Sequence, residues 1–536
     1  MLGRRSLQRD MFSSQNLPHR VPDDSFYGRM GAVSDILFDD DDLEDMYCED
    51  NGRPSLPPSL MCGVLILQFH DDVSDEEARD RSVFDRRWQV ALDLPVDFAG
   101  FDPSSLTNFR KRLIEHGQER YAFDQFVAAG RAAGFIPDKV TLLTDTTWAK
   151  GAGAVQDTYT LLRKGIRKLF RAMGFALPGK RRGLAPQSQE LVAGYLGQDH
   201  KADIDWADPE QRAAQLKVLV QDAETALELA QARSDDAGVR SAGWILAKIL
   251  GDDIVTDDQN NPQLGVGTAT ERIISTTDTD MRHGRKSKSQ RFDGYKVSVS
   301  TESTSNMILD IASVSASGSD GAHLLPTIQR TEEQTGVTIE GVMGDGAYGS
   351  GKNLAACATH TPHPIDLLTP MSRPRDAAVD KSAFEIDLEK GLATCPQGHT
   401  TIGRPSSRGR GRPRLKFTFK RADCEACPLF ARCVRSQKTG RTVSTHMYES
   451  YLQAQRRRQD TAEFRAQYRT RCRVEHKIAE LVQHGLRKTR YVGDPKRQLQ
   501  RLWLGAAINL KTLFRLGDVN HVDLRPIWPE SAPSTA

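Results

Sequence analysis

The chain has 536 residues, enough for three or four domains, and its 38% apolar and 27% charged residues are the balance of a globular protein in water. No apolar run nears the ~20 residues that span a bilayer, and Met1–Asp10 has no apolar stretch of the signal-peptide kind, so a cytoplasmic protein with no membrane partner is expected. The net charge of +2 hides an uneven distribution: residues 404–421 hold eight Arg or Lys and no acid, and 452–515 hold sixteen against five acids. Blocks of this kind meet nucleic acid or solvate a face, and two of them in one chain favour nucleic acid.

In chain order, residues 1–24, rich in Ser, Arg and Pro, read as a flexible tail, and 25–135 read as helical. Pro57-Pro-Ser-Leu-Met starts one helix, Ser74-Asp-Glu-Glu a second, and Ser104-Ser-Leu-Thr-Asn-Phe-Arg-Lys-Arg-Leu113 a third, capped by Asp102 or Ser104. The third carries Arg110, Lys111 and Arg112 just beyond its cap. That suits a helix-turn-helix whose last helix enters a major groove, or equally a plain helical bundle with a basic surface.

An apolar strand, Val140-Thr-Leu-Leu-Thr144, then leads to Asp145, and residues 150–269 turn helical and charged. Tyr295–Thr301 and Met307–Val314 alternate with period two around a turn at 303–306, a hairpin. A helix from Ala322 to about Thr335 precedes a strand at 337–344, closed by Asp345. Another helix, 350–356, precedes a strand at 364–369. A Cys- and Arg-rich segment fills 373–445, a long basic helix from about Tyr451 to Lys488 carries Glu475, and 516–536 is a C-terminal tail.

With the inserts at 150–269 and 373–445 set aside, residues 136–149, 270–372 and 446–515 give the order β-β-β-α-β-α-β-α. This is an α/β fold with a mixed sheet, in the order of a ribonuclease-H-like domain, and it places acids at the first strand, the fourth strand and the last helix. Carboxylates at neighbouring strand ends lie about 4.8 Å apart across the sheet. Mg²⁺ or Mn²⁺ takes one or two carboxylates per ion, and a pair of ions activates an attacking water or 3′-hydroxyl and stabilises the leaving oxygen. Asp145, Asp345 and Glu475 are therefore the candidate catalytic and metal-binding residues. Asp293 and Asp310, flanking the hairpin, are rivals, and Asp280 and His283 precede a basic run of Arg282, Arg285, Lys286, Lys288 and Arg291.

Four of the eight cysteines, Cys395, Cys424, Cys427 and Cys433, fall within 39 residues and include a Cys-x-x-Cys pair. That spacing suits a structural, tetrahedral Zn²⁺ in a ribbon-like insert, with His399 able to replace one thiolate. Arg404, Arg408, Arg410, Arg412 and Arg414 lie between them, where a stapled insert would form a DNA clamp.

Leu143-Thr-Asp-Thr-Thr147, Gly151-Ala-Gly-Ala-Val-Gln-Asp-Thr-Tyr-Thr-Leu-Leu-Arg163, Gly284-Arg-Lys-Ser-Lys-Ser-Gln-Arg-Phe-Asp-Gly-Tyr-Lys296, Gly344-Asp-Gly-Ala-Tyr348 and Tyr468-Arg-Thr-Arg-Cys-Arg-Val-Glu475 together resemble bacterial insertion-sequence transposases of the DDE type, over about residues 25–515. The resemblance implies a helical N-terminal module, 25–135, that binds terminal inverted repeats. It also implies a catalytic acid trio at Asp145, Asp345 and Glu475, and a Tyr-x-x-Arg-x-x-x-Glu signature at Tyr468, Arg471 and Glu475. The family often has Lys seven residues after that Glu; here the position is Val482, and Lys477, Arg487 or Lys488 stands as its replacement. The implied activity is metal-dependent cleavage and strand transfer of double-stranded transposon ends and target DNA by a nucleoid-associated homodimer. Arg471, Arg473, Lys477, Arg487 and Lys488 are then phosphate contacts, beside Arg110, Lys111, Arg112, Arg410 and Arg412. A catalytically silent DNA-binding derivative and a ribonuclease-H-like nuclease without strand transfer are the alternatives.

Overall fold

The computed structural model describes the chain apart from residues 6–19, 49–53, 178, 198–201, 268, 270, 288, 373–378, 407–413, 437 and 527–536. Six helices come first: α1 (Phe26–Ala32), α2 (Pro58–Asp71), α3 (Asp75–Phe84), α4 (Arg86–Ala91), α5 (Ser104–Glu115) and α6 (Tyr121–Ala132). Of the expected caps, Ser74 is the N-cap of α3, whereas the N-cap of α5 is Pro103 rather than Asp102 or Ser104. Ser74 caps α3 by accepting the Glu77 N–H at 3.1 Å, and the Asp102 carboxylate accepts the Ser104 N–H at 2.8 Å at the head of α5. The first five residues are not a loose tail: the Arg5 guanidinium donates to the carbonyls of Ser34 and Leu92, both at 2.7 Å, and so ties the chain start onto the helices.

Strand β1 (Lys139–Lys150) follows, and then a helical insert of α7 (Thr158–Ala172), α8 (Pro186–Leu196), α9 (Pro209–Gln231) and α10 (Ala237–Asp253), closed by a small hairpin of β2 (Ile254–Thr256) and β3 (Pro262–Leu264). This insert has its own core, in which Leu162, Ile166, Leu169 and Phe170 of α7 meet Leu246 and Ile249 of α10. The chain then builds β4 (Arg282–Arg285), β5 (Arg291–Glu302), β6 (Ile308–Ser315), α11 (Leu324–Thr335), β7 (Thr338–Met343), α12 (Gly351–Ala358) and β8 (Asp366–Leu368). The main sheet is mixed. Its order is β4-β5-β1-β7-β8 with β6 also on β5; β1, β4 and β6 run antiparallel to β5, and β1, β7 and β8 are mutually parallel. The short β4 was absent from the expected order, because four residues with two arginines carry no alternating apolar signal.

The Cys- and Arg-rich segment forms two three-stranded sheets, β9 (Glu385–Asp387), β10 (Leu392–Thr394) and β11 (Thr400–Ile402), then β12 (Arg404–Ser406), β13 (Arg414–Thr418) and β14 (Thr442–Ser444). Two short helices, α13 (Arg421–Glu425) and α14 (Phe430–Cys433), sit between β13 and β14.

The long basic helix expected from 451 to 488 is three helices: α15 (Glu449–Arg458), α16 (Ala462–Tyr468) and, after a turn of 3-10 helix, α17 (Cys472–Gln483). The first break is chemical. Thr461 accepts the Phe464 N–H at 3.1 Å and starts a new helix where an unbroken one would need a plain interior residue. Last comes α18 (Asp494–Asn520), which runs five residues into what read as a tail. It is buried almost all round from Leu499 to Phe514 and packs on α2, α5, α6 and β6, so the N-terminal helices and the main sheet share one apolar core. Among the described residues no helix is long and apolar enough to cross a membrane.

Candidate active site

Register places the two aspartates. Leu143 of β1 pairs in parallel with Met343 of β7. Asp145 and Asp345 each lie two residues beyond that last pair, so the two parallel strands deliver both carboxyls to the same end of the sheet and into one cleft. β7 stops at Met343, while β1 continues to Lys150 against β5, with Asp145 opposite Val299. Asp145 is thus a mid-strand residue rather than a strand end; what ends there is its parallel neighbour. The loop after β7 is fixed by its own residues. The Asp345 carboxylate accepts the Ala347 N–H at 2.8 Å, its carbonyl accepts the Thr369 hydroxyl at 2.6 Å, and Gly344 lies so close to the buried Tyr348 ring that a Cβ would come within 2.8 Å of it.

Glu475 sits in the first turn of α17, beside the buried stripe of Val474, Ile478 and Leu481, on a helix packed against β1. One turn earlier Arg471 joins the trio. Its guanidinium donates to Glu475 Oε1 at 2.6 Å and to Asp145 Oδ2 at 2.8 Å, with its side chain 12% exposed. All three acids line one cleft of about 450 Å³, together with Trp148, Arg285, Lys286, Phe292, Lys296, Asp320 and Arg487. Burial pushes the Asp145 carboxyl up to about 6 against the pull of Arg471, and the charges of Asp345 and Glu475 push the same way as burial.

The cleft brings together Asp145, Asp345, Glu475, Arg471 and Arg487. It also holds residues that the sequence gave no reason to choose: Trp148 and Phe292, which stack, and Lys296, ion-paired to Asp320 at 2.7 Å. Arg285 and Lys286 belong to the basic run already noted. The rivals are engaged elsewhere. Asp310 is buried in a bidentate pair with Arg330, Asp293 holds His283 at 2.6 Å, and Asp280 meets Arg497 at 2.8 Å.

Three expected phosphate contacts are engaged within the protein. Arg110 is buried, paired with Asp75 at 2.5 Å and lying over the Tyr491 ring. Lys477 is buried between Glu480 and the Thr512 hydroxyl, at 3.0 and 2.9 Å. Arg473 spends its guanidinium on the carbonyls of Ser303 and Thr304, at 2.8 and 2.6 Å. Lys111 is exposed beside Glu115, Arg112 lies over Tyr47, Lys488 is exposed, and Val482 packs against the core. Arg410 and Arg412 lie outside the described residues.

The donors of the cleft are carboxylate oxygens, the set that a hard divalent ion takes. As the side chains stand, Arg471 fills the place between Asp145 and Glu475 with a cationic fork, and no group of three or more His, Cys, Asp or Glu among the described residues is gathered tightly enough to hold a metal ion. In the second insert, Cys395, Cys424, Cys427, Cys433 and His399 line one small pocket. Cys395 opens a tight turn in which its N–H donates to the His399 carbonyl at 2.8 Å and Gly398 takes φ +83°. The Arg441 N–H donates to the Cys424 sulfur at 3.5 Å and the Leu429 N–H to the Cys427 sulfur at 3.4 Å.

Two family models match the chain. One, described as a transposase DDE domain, covers residues 394–514, which hold the four cysteines, Arg471, Glu475 and Arg487; the other, described as a transposase domain, covers residues 15–112. Asp145 and Asp345 lie outside both. No curated protein and no solved structure matches.

Proposed function

Both matches support an insertion-sequence transposase of the DDE type, and from that premise we propose that the chain binds the terminal inverted repeats of its element and cuts and joins DNA in this cleft. The observation that carries the proposal is one cleft lined by Asp145, Asp345 and Glu475, the two aspartates each two residues past the last parallel pair of β1 and β7, with Asp145 and Glu475 both bound by Arg471. The strand order β6-β5-β1-β7-β8, antiparallel in its first three members and parallel in its last three, supports a ribonuclease-H-like core made of 136–149, 270–372 and 446–515. In this reading 25–135 is the end-binding module, and 150–269 and 373–445 are inserts in the core.

Asp145, Asp345 and Glu475 would hold two Mg²⁺ or Mn²⁺ ions, which when bound lower the pKa of a water or 3′-hydroxyl and stabilise the leaving oxygen. The chain's own residues do the rest. Arg471 holds Asp145 and Glu475 aligned before DNA arrives, and then turns its fork to phosphate. Arg285, Lys286 and Lys296 give the cleft a cationic wall that draws the DNA backbone inward. Lys111, Arg112 and Lys488 extend that attraction outside the cleft, Arg410 and Arg412 are further proposed phosphate contacts, the four cysteines would hold a structural Zn²⁺, and two chains would bring the two ends together beside the bacterial chromosome.

The test uses DNA fragments bearing the element's own ends, a supercoiled target plasmid and Mg²⁺, with wild type beside Asp145→Asn. Cutting and joining by the wild type, both lost in Asp145→Asn, is the expected result. Cutting without joining would leave a nuclease. Binding with no cutting by either protein would leave a catalytically silent DNA-binding derivative.

A further inference from the structure

Two loops bring charge into the cleft besides β1 and α17. The loop after β7 carries Asp345. The loop after β6 carries Asp320, whose carboxylate pairs with Lys296 Nζ at 2.7 Å, while Lys296 also donates to the Gly318 carbonyl at 2.7 Å. These loops come from different stretches of the chain, yet one side chain joins them.

That side chain is Asn353, in the first turn of α12 and 6% exposed. It does not line the cleft. Its Nδ2 donates to the Gly321 carbonyl at 2.8 Å and to the Tyr348 carbonyl at 3.0 Å, so one amide spends both of its N–H donors on the two loops. The Tyr348 N–H donates to the Asp345 carbonyl at 3.1 Å, and the Tyr348 ring is seated against Gly344, the residue before Asp345. From the other side, Gly321 lies so near this turn that a Cβ would come within 2.4 Å of the Ala347 carbonyl oxygen and 3.1 Å of Asn353 Nδ2. Asn353 is itself held in place: its N–H donates at 3.2 Å to the Ser350 hydroxyl that caps α12.

Gly321 and Tyr348 are buried, so removing the amide would strand both carbonyls, and the loops would have to part to hydrate them. We infer that Asn353 is a positioning residue for the cleft: it locks the Asp320 loop to the Asp345 loop and so holds Asp345 and the Asp320–Lys296 pair in one arrangement before metal and DNA bind. The inference rests on the DNA-cutting reading of the cleft. A carboxylate left free to move must be ordered when it takes an ion. Loss of the group that supports a metal ligand therefore weakens metal affinity, typically by tenfold or more.

The test uses Asn353→Ala, Asn353→Asp and Gly321→Ala in the full chain with end-bearing DNA. Mn²⁺ held by each protein–DNA complex is counted by electron paramagnetic resonance, and single-turnover cleavage is followed against Mn²⁺ concentration. Asn353→Asp keeps the size of the side chain but sets a carboxylate against two carbonyls. Gly321→Ala strains the clamp from the other loop while Asn353 stays in place. All three are expected to bind Mn²⁺ roughly tenfold or more weakly, to need a correspondingly higher Mn²⁺ concentration for half-maximal cleavage, and to bind DNA without metal as the wild type does. An amide that only stabilises the fold would lower the melting temperature and leave the Mn²⁺ requirement alone. Wild-type Mn²⁺ affinity in Asn353→Ala or in Gly321→Ala, however far the melting temperature falls, would therefore overturn the inference. Cleavage by Asp345→Asn at the wild-type rate, or a wild-type complex that holds no Mn²⁺, would instead overturn the reading of the cleft itself.

Discussion

Asp71 shows at the level of one residue how charge is used in this chain. It ends α2 with its side chain 6% exposed, and it accepts hydrogen bonds from Trp88 Nε1 and the Tyr27 hydroxyl at 2.8 Å and from Arg81 at 2.7 Å, with His70 at 2.7 Å. Burial alone would push its carboxyl up, but the hydrogen bonds of His70, Trp88 and Tyr27 outweigh burial and hold it at about 2. A carboxyl that titrates lower in the folded than in the unfolded chain contributes stability above pH 4, and that contribution is lost as pH falls from about 4 through 2. The shift corresponds to about 2 kcal/mol. Asp71→Asn is therefore expected to lower stability by about that much at neutral pH and to flatten the acid limb of a denaturation series between pH 4 and 2. Parallel wild-type and mutant curves over that range would show that Asp71 is not held ionised by its neighbours. The same network could not be read from the sequence, where Asp71 is one of 71 acids and its partners lie up to 44 residues away. That Asp145 and Asp345 would come to one end of the sheet was expected because an apolar run marks each strand that leads to them. Arg471 was legible through its four-residue spacing from Glu475 on one helix. Arg487, Trp148 and Phe292 were brought together by β1, β5 and the turn after α17, and no spacing along the chain records that meeting. Arg110, one residue from the exposed Lys111, shows the converse: a basic cluster on a helix is not a basic face until one knows which side is buried.

At the scale of elements, the second insert is the least self-sufficient. Its core is Phe384, Ile386, Ala393, Phe417, Phe419 and Val443, with Cys395, Cys424 and Cys433 packed at its edge. A core that small rarely holds a unit of this size without a staple. The sulfurs of Cys424 and Cys427 already accept backbone N–H donors, from Arg441 and Leu429. Burial pushes the Cys433 thiol up, against the pull of Arg441, and its neighbours Cys424, Cys427 and Cys395 add to the rise. Binding Zn²⁺ must then release protons, so its affinity is expected to strengthen with rising pH. Protein purified without a metal-affinity step should carry about one zinc per chain by elemental analysis, falling to background in the double variant Cys424→Ser, Cys427→Ser. Background zinc in the wild type would remove the staple from the account of this insert. The gathering of the four cysteines round one pocket was legible, since the Cys-x-x-Cys pair and the Cys395 turn are local. The break of the basic stretch into α15, α16 and α17 was less so, because charge alone does not say where a helix stops and a Thr461 cap does.

At the scale of the molecule, α18 decides what can stand alone. The change from helical to alternating pattern near residue 135 reads as a domain boundary. In the fold, Trp503, Ala507, Leu510 and Phe514 of α18 complete one core that contains Met30, Leu65 and Phe126 of the N-terminal helices and Val299 and Ile311 of the sheet. A helix that returns from near the chain's end to pack on its beginning leaves no trace in local periodicity. The helical insert is the opposite case: Leu162, Phe170, Leu219, Ala226 and Leu246 bury one another without help from the sheet. Fragment 25–135 is therefore expected to show no cooperative thermal transition alone and to gain one when a peptide of residues 494–520 is added. Fragment 157–275 is expected to melt cooperatively unaided. A cooperative melt of 25–135 by itself, near the temperature of the full chain, would mean that the seam with α18 is a docking contact between two finished domains. The N-terminal helices could then move independently of the cleft. A failure to melt cooperatively without α18 would mean that DNA gripped by the N-terminal helices is held in a fixed relation to Asp145, Asp345 and Glu475.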